Sequence, residues 1–325
     1  MKAKSARKSA MLVAAMIAGA AALSAAGAAF AQTTLRVGKA VPEAFSFVPL
    51  DVGIRKGLFE RNGVTVDEIA FSGDAKLQQA MAADSLDIAL GSGPAMAFIA
   101  KGAPIKAVAA MAGPPLDLTI VVRPDGPKTT AELKGKKVSV STVGGLTYWL
   151  VSETSRQQGW GPNGIDIAPM GAMPPQLAAL ARGDIDGVVT DVSSALLLEK
   201  LGKARILTRF GRIVKDFHVH IIYATNKLIA ARPDAIRGFL KGWFQSIAFM
   251  RRNKAETVDI TASVIGKDAD IGGKTYDELM PEFSDDGRFD ARAQDTLAKS
   301  YVELQVLPAA PDMRTLYTEE FLPTE

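Results

Sequence analysis

The chain has 325 residues, 48% of them apolar and 22% charged, the balance of one or two globular domains rather than of a disordered, collagenous or coiled-coil chain. Lys and Arg total 38 against 35 Asp and Glu, but Lys2, Lys4, Arg7 and Lys8 stand in an acid-free opening stretch, and without them the basic residues number 34. The remainder is nearly neutral, which argues against nucleic acid or an anionic membrane as a partner, and the absence of Cys excludes disulfides, thiolate catalysis, Cys-based zinc sites and a lipid-modified Cys anchor.

Met1–Ser9 is basic, Ala10–Leu23 is apolar, and small residues lead to Ala29-Phe30-Ala31. This is the grammar of a signal peptide cleaved after Ala31, so a soluble, periplasmic mature protein is expected. Leu35–Gly38 then reads as a strand, followed by the loop Val41–Pro49 and a helix that ends near Asn62-Gly63. Val64–Ile69 is a second strand. Asp74 is placed as the N-cap of a helix over Lys76–Ala83, and Leu86–Leu90 is a third strand. Gly91-Ser92-Gly93-Pro94 leads into a further helix, with Pro94 at its first turn. Leu116–Arg123 reads as a strand long enough to cross to a second lobe.

A second cycle opens with the strand Lys137–Ser141, the turn Thr142–Gly145 and a helix from Leu146 to about Gly159. Ala80, Met81, Ala82, Leu86, Asp87, Ala89 and Leu90 find counterparts 99 residues on in Ala179, Leu180, Ala181, Ile185, Asp186, Val188 and Val189. Two lobes of one design are therefore expected. His218–Thr225 reads as a second crossing strand, and the largely helical Asn226–Glu325 as padding for the first lobe. The predicted organisation is a leader over 1–31, lobe I over 32–116 and 224–325, and lobe II over 117–223, in an α/β fold with largely parallel sheets.

Ligands of open α/β sheets bind beyond the carboxyl ends of the strands, where loops meet helix starts. Three such loops are candidates, Phe45–Pro49, Gly91–Pro94 and Ser141–Thr147. Their Gly residues allow close approach, and Ser92, Ser141, Thr142 and Thr147 add hydroxyls. Phe45 or Phe47 can wall the ligand. Asp191, after the strand Gly187–Thr190, either accepts from a ligand amine or caps the next helix. His218 and His220 are the only histidines; spaced i, i+2 in a strand they face one way, and with no acid cluster beside them they read as structural or cleft-lining, not metal-binding. No GxSxG elbow and no intact dinucleotide fingerprint occurs, so no cofactor is called for.

At these residues the sequence resembles the periplasmic substrate-binding proteins of the nitrate, sulfonate and taurine type of ABC transporter. The correspondence runs through Leu35–Gly38, Gly57–Val64, Leu86–Ala89, Leu133–Val138 and Gly183–Asp186. The resemblance implies a type II binding protein, two α/β lobes joined by crossing strands, that acts as a monomer and delivers a small molecule to an ABC permease and its ATPase. Carried over residue by residue, it places ligand contacts at Phe45, Ser46, Phe47, Ser92, Gly93, Thr142, Gly144, Gly145 and Thr147. The family often has Gly-Ser where this chain has Gly144-Gly145, so a hydroxyl is missing, and the aromatic first loop suits a larger or less charged compound than sulfonate or nitrate. A related enzymatic branch, the yeast-type pyrimidine synthases, depends on cysteine-rich motifs, and this chain has none. The expectation is solute capture without catalysis. The alternatives are an exported hydrolase using a cleft His such as His218, and a soluble receptor for a membrane sensor.

Overall fold

Apolar, β-branched runs punctuated by turn residues build two five-stranded sheets. The computed structural model describes residues 32–42, 44–143 and 145–324; the expected leader and Gly144 lie outside the described residues. The first sheet begins with β1 (Thr33–Lys39), β2 (Val64–Ala70), β3 (Ile88–Ser92) and β4 (Ile105–Ala112). The second contains β5 (Leu118–Val122), β6 (Lys137–Val140), β7 (Asp166–Pro169), β8 (Gly187–Asp191) and β9 (Arg205–Arg209). β10 (His220–Thr225) then returns to the first.

The spatial orders are β2-β1-β3-β10-β4 and β7-β6-β8-β5-β9. In both, three parallel strands are followed by an antiparallel one. That antiparallel strand is in each case the one that has just arrived from the other lobe, so the sheets are stitched together by the segments 113–117 and 210–219. This is the two-lobed α/β architecture expected, but with mixed rather than largely parallel sheets, since each has two parallel and two antiparallel pairings.

Helices fill the layers around each sheet. The first lobe carries α1 (Val48–Arg55), α2 (Asp74–Ala82) and α3 (Met96–Ala100), and the second α4 (Leu146–Gln157), α5 (Met173–Arg182) and α6 (Val192–Lys200). The C-terminal part adds α7 (Asn226–Ala231), α8 (Pro233–Arg252), α9 (Lys254–Ile265), α10 (Ala269–Leu279) and α11 (Ala291–Glu303). α8 buries Ile236, Phe239, Leu240, Trp243 and Ile247 along one face, the i, i+3, i+4 stripe of a helix laid on a core. Phe239 stacks on Phe59 with ring centroids 5.0 Å apart. Among the described residues no helix is long and apolar enough to cross a membrane.

Several details differ from the sequence reading. Asp74 is the first residue of α2, whose N-cap is Gly73; its carboxylate accepts instead from the Ser92 backbone N–H at 2.9 Å, which ties the helix to the end of β3. Ser92 belongs to β3 itself rather than to the loop beyond it. β5 lies wholly in the second sheet, so the crossing is made by the turn before it. His220–Tyr223 pair with β3 and β4, which places them in the first sheet, on the near side of the predicted boundary at 223. The C-terminal helices do more than cover the first sheet. α10 packs against α6, where Lys200 of the second lobe meets Asp268 at 2.9 Å and Arg209 pairs with Glu278.

Candidate functional site

The chain leaving β1 is held down before it reaches its loop. Lys39, at the end of β1, is buried and its ammonium contacts Glu68 at 2.6 Å and Asp51 at 3.0 Å, so a charge in the interior is matched from both sides. Asp51 sits in the first turn of α1, where a carboxylate also meets the positive end of the helix dipole. Pro49 occupies the same turn, a position where its missing N–H leaves no bond unmade. A 3₁₀ turn over Phe45–Phe47 precedes the helix, and all three of its residues are buried.

Burial of Ser46 in that turn brings it to a polar cluster assembled from four separate parts of the sequence. Its Oγ donates to Glu282 Oε1 at 2.6 Å and lies 3.4 Å from Asp117 Oδ2. His220 Nε2 meets the same Asp117 oxygen at 3.0 Å, and the imidazole packs on Phe47 with centroids 5.0 Å apart. Asp117 stands in the first connection between lobes, His220 opens β10 just after the second, and Glu282 follows α10. The Asp117 carbonyl also accepts from Val192 N–H at 2.8 Å, at the start of α6 in the second lobe. The cluster therefore sits where the two lobes join. Ser46, Asp117, His220 and Glu282 are 0%, 4%, 7% and 2% exposed.

Its hydrogen bonding is incomplete. Asp117 Oδ1, Glu282 Oε2 and His220 Nδ1 are buried without a partner, and each such orphan costs about 1–3 kcal/mol. Burial pushes the Glu282 carboxyl well above its ordinary range, the Asp117 charge adds to this, and the Ser46 hydroxyl only partly offsets it. Native interiors seldom leave several polar atoms unpaired in one place unless something else is meant to meet them.

The other predicted residues divide into two groups. Ser92 and Gly93 are locked in the first lobe. Ser92 N–H donates to Asp74 and its carbonyl accepts from Tyr223 Oη at 2.6 Å. Gly93 N–H donates to the Val219 carbonyl at 3.0 Å and its own carbonyl accepts from Tyr301 Oη at 3.2 Å. His218 accepts on Nε2 from the Asp290 backbone N–H at 3.0 Å and stands edge-on to Phe289. It precedes β10, so strand alternation does not govern it, and the two histidines go to different partners. Burial pulls the His218 imidazole down to about 4, against a smaller opposing pull from Asp290.

The second-lobe loop is open by contrast. Thr142 is exposed, and Gly145 and Thr147 are half-buried. Thr147 Oγ1 lies 3.1 Å from Ser141 Oγ at the start of α4, whose N-cap, Gly145, offers no side chain. Asp191 caps α6 by accepting from Ser194 N–H at 2.9 Å, the second of its two predicted roles. Sequence reasoning missed Asp117 and Glu282 and left His220 as a lining residue. The available signal was a single ionisable residue at the head of an otherwise apolar strand, Asp117 before Leu118–Val122 and His220 before Ile221–Ala224. Glu282, in a short turn after a helix, offered none.

Known proteins share this fold. The alkanesulfonate-binding protein SsuA of Xanthomonas axonopodis pv. citri, solved with MOPS bound, superposes with a TM-score of 0.73 at 20% identity over 88% of this chain and 98% of its own. The desulfurization enzyme DSZB superposes with a TM-score of 0.62 at 15% identity over 89% of this chain and 97% of its own. Likeness at such identity establishes the fold, the type II periplasmic-binding-protein fold, and the two cases show that it hosts both binding and catalysis. A Haemophilus influenzae protein provisionally assigned to thiamine biosynthesis is 33% identical over 94 residues, 29% of this chain, and the match spans 30% of that relative's length. Residues 44–257 match the family model described as NMT1/THI5 like, and with well over half of its length matched the chain belongs to the NMT1/THI5-like family.

Proposed function

We propose that this protein is the periplasmic solute receptor of an ABC importer, a monomer that captures a small molecule between its lobes and presents it to a permease and its ATPase. The observation that carries this reading is the incomplete polar cluster at the lobe junction, built from the loop after β1, the first inter-lobe connection, the head of β10 just after the second, and the turn after α10. A ligand there touches the first connection and the strand into which the second one leads, so its affinity would differ between lobe arrangements, which is what ligand-driven closure requires. The hinge would comprise 113–117 and 210–219, and the hydroxyls of the exposed Ser141 and Thr142 and of the half-buried Thr147 would close from the second lobe. The family and the fold of the alkanesulfonate-binding neighbour support binding as the activity.

The hydrolase reading asks for an imidazole that activates a hydroxyl. Ser46 instead faces two carboxylates, and the basicity of His218 is suppressed while its Nε2 holds a backbone amide. The test is a thermal-shift screen of the purified protein against sulfonates, nitrate, aromatic acids and pyrimidines, followed by solution scattering with any hit. A ligand at 100 times its dissociation constant stabilises by about 2.7 kcal/mol, and the radius of gyration is expected to fall as the lobes close. A candidate consumed during incubation, or bound with no change in dimensions, overturns the proposal.

A further inference from the structure

Among the described residues three carboxylates are buried, Asp87, Asp117 and Glu282, and they are treated in opposite ways. Asp87 is surrounded by cations. It takes Arg36 at 3.0 Å through both carboxylate oxygens and Arg232 at 3.3 Å. Hydrogen bonds from Arg36 outweigh its burial and hold it below the ordinary carboxylate range. Asp117 and Glu282 have no lysine or arginine partner among the described residues; Ser46 and His220 meet them, the Asp117 backbone acts on the Glu282 carboxyl, and the rings of Phe45, Phe47 and Phe283 belong to residues in or beside the cluster. The chain therefore gives one buried carboxylate two arginines and gives the other two a single imidazole between them.

The atoms left over carry the chemistry further. In a neutral imidazole that donates from Nε2 to Asp117, Nδ1 is an acceptor. Asp117 Oδ1 and ionised Glu282 Oε2 are acceptors too, so the three orphan positions ask for several N–H donors and a positive charge. A sulfonate, nitrate or carboxylate offers acceptors to acceptors and negative charge to a carboxylate pair. The aromatic rings beside the cluster are compatible with a cation, whose charge is attracted by a ring face.

We propose that the lobe junction binds the cationic nitrogen end of the transported solute, an ammonium, amidinium or guanidinium group, between Asp117 and Glu282 with His220 as third contact. This rests on the reading of the chain as a solute receptor and names the class of solute. The cation supplied by the ligand does here what Arg36 and Arg232 do permanently at Asp87. In its absence burial and the neighbouring Asp117 charge push the Glu282 carboxyl up, and a cation seated between the two acids would act in the opposite direction.

The experiment uses matched probes on two scaffolds, benzamidine, benzyl alcohol and benzoate on one, and butylamine, 1-butanol and butanesulfonate on the other. Each is titrated by thermal shift and calorimetry into the wild type and into Asp117→Asn, Glu282→Gln and Asp186→Asn. The cationic member of at least one scaffold is expected to bind about tenfold or more tightly than its neutral and anionic partners, the worth of one charge-assisted hydrogen bond. Asp117→Asn and Glu282→Gln should each remove that preference, while Asp186→Asn, on the second lobe away from the junction, should not. Should Asp117→Asn fail to fold, the near-isosteric Glu282→Gln carries the same comparison. Anionic probes that bind with affinity unchanged in Asp117→Asn and Glu282→Gln overturn the cation assignment and leave the receptor reading standing. If neither these probes nor the preceding screen stabilises the wild type, both readings fall.

Discussion

The two lobes run the same topology from β1 to β3 and from β6 to β8, down to a shared fastening. Asp87, in the turn before β3, accepts from the Arg36 backbone N–H at 2.9 Å, and Asp186, in the turn before β8, accepts from the Lys137 N–H at 2.9 Å. Beyond those fastenings the lobes diverge. The loop after β1 is sealed under the C-terminal segment, with Phe45 against Phe283 and Ser46 bonded to Glu282. The loop after β6 has no such cover, and Val143 at its tip is 71% exposed. Equal topology thus does not make equal surfaces; the hundred residues that wrap one lobe bury its loop and leave the other exposed.

The strongest way to break this comparison is at the shared fastening. Asp87 is buried and holds two partly exposed arginines as well as the backbone, so Asp87→Ala removes its charge-assisted hydrogen bonds and leaves the Arg36 amide without its acceptor, and should cost about 2–3 kcal/mol. For a chain of this size that is a fall in Tm of roughly 5 °C. Asp186 is partly exposed, with Lys136 at 3.8 Å, and Asp186→Ala should lose only its backbone bond, about 1 kcal/mol. Equal losses in thermal denaturation would mean that the lobes are fastened alike. The sign with pH follows from the direction of the shift. Because Asp87 is held below the ordinary carboxylate range, its contribution is present at neutral pH and lost as pH falls through that range.

Acid should loosen the first lobe through His218 as well. Its folded value near 4 lies below the ordinary 6.5, so the native protein binds fewer protons than the unfolded chain between those limits. Stability is full above 6.5 and declines toward pH 4, by about 3 kcal/mol for a shift of this size. His218 anchors the Asp290 amide just before α11, so the loss falls on the C-terminal wrap. Urea unfolding at stepped pH should show the wild-type decline and a flatter curve for His218→Gln; identical slopes would show that the imidazole titrates freely.

What could be read from the sequence was what repeats or alternates. β1, β2, β3, β6 and β8 follow from apolar runs, and the matched segments Ala80–Leu90 and Ala179–Val189 fall on α2 to β3 and α5 to β8. β4 escaped because Ile105–Ala112 is rich in Ala, which has little strand preference; it is a strand by virtue of burial between β10 and the C-terminal segment. β7 escaped as four residues at a sheet edge, closed by Pro169. The site was legible loop by loop and not as a cluster, since Ser46 and Glu282 meet across 236 positions of sequence. Local pattern holds no record of such a pairing. Asp74 was read as a cap because the type of residue suits one, whereas the backbone of Ser92 offered its carboxylate a better-placed donor.

Two glycines at helix starts, Gly93 after β3 and Gly145 after β6, sharpen the contrast between the sealed first lobe and the open second-lobe loop. A Cβ on Gly93 would run into the His218 carbonyl oxygen and meet Leu297 Cδ2 at 3.1 Å. Backbone cannot rotate aside, so Gly93→Ala should destabilise by about 1–3 kcal/mol and weaken binding by shifting the connection that carries His220. Restored Tm with undiminished affinity would show that the sealed loop has slack.

Gly145→Ser should do the opposite on a smaller scale. Gly145 has φ −87° and ψ 175°, extended backbone that serine adopts readily, and it is the uncapped N-cap of α4. The new Cβ meets Thr142 Oγ1 at 2.7 Å and the Thr142 carbonyl oxygen at an ordinary 3.6 Å, and Thr142 is exposed, so its hydroxyl can swing away. A serine here can accept from the first turn of the helix, and at an N-cap serine exceeds glycine by a few tenths of a kcal/mol. The expected result is a Tm unchanged or raised by about 1 °C. Since the hydroxyl cannot serve the helix and a ligand oxygen at full strength together, any gain in affinity for anionic solutes should come with the cap gain reduced in the bound form. A loss of more than about 1 kcal/mol, beyond what releasing one exposed hydroxyl explains, would show the second-lobe loop to be packed as tightly as the first, and the asymmetry between the two faces would not stand.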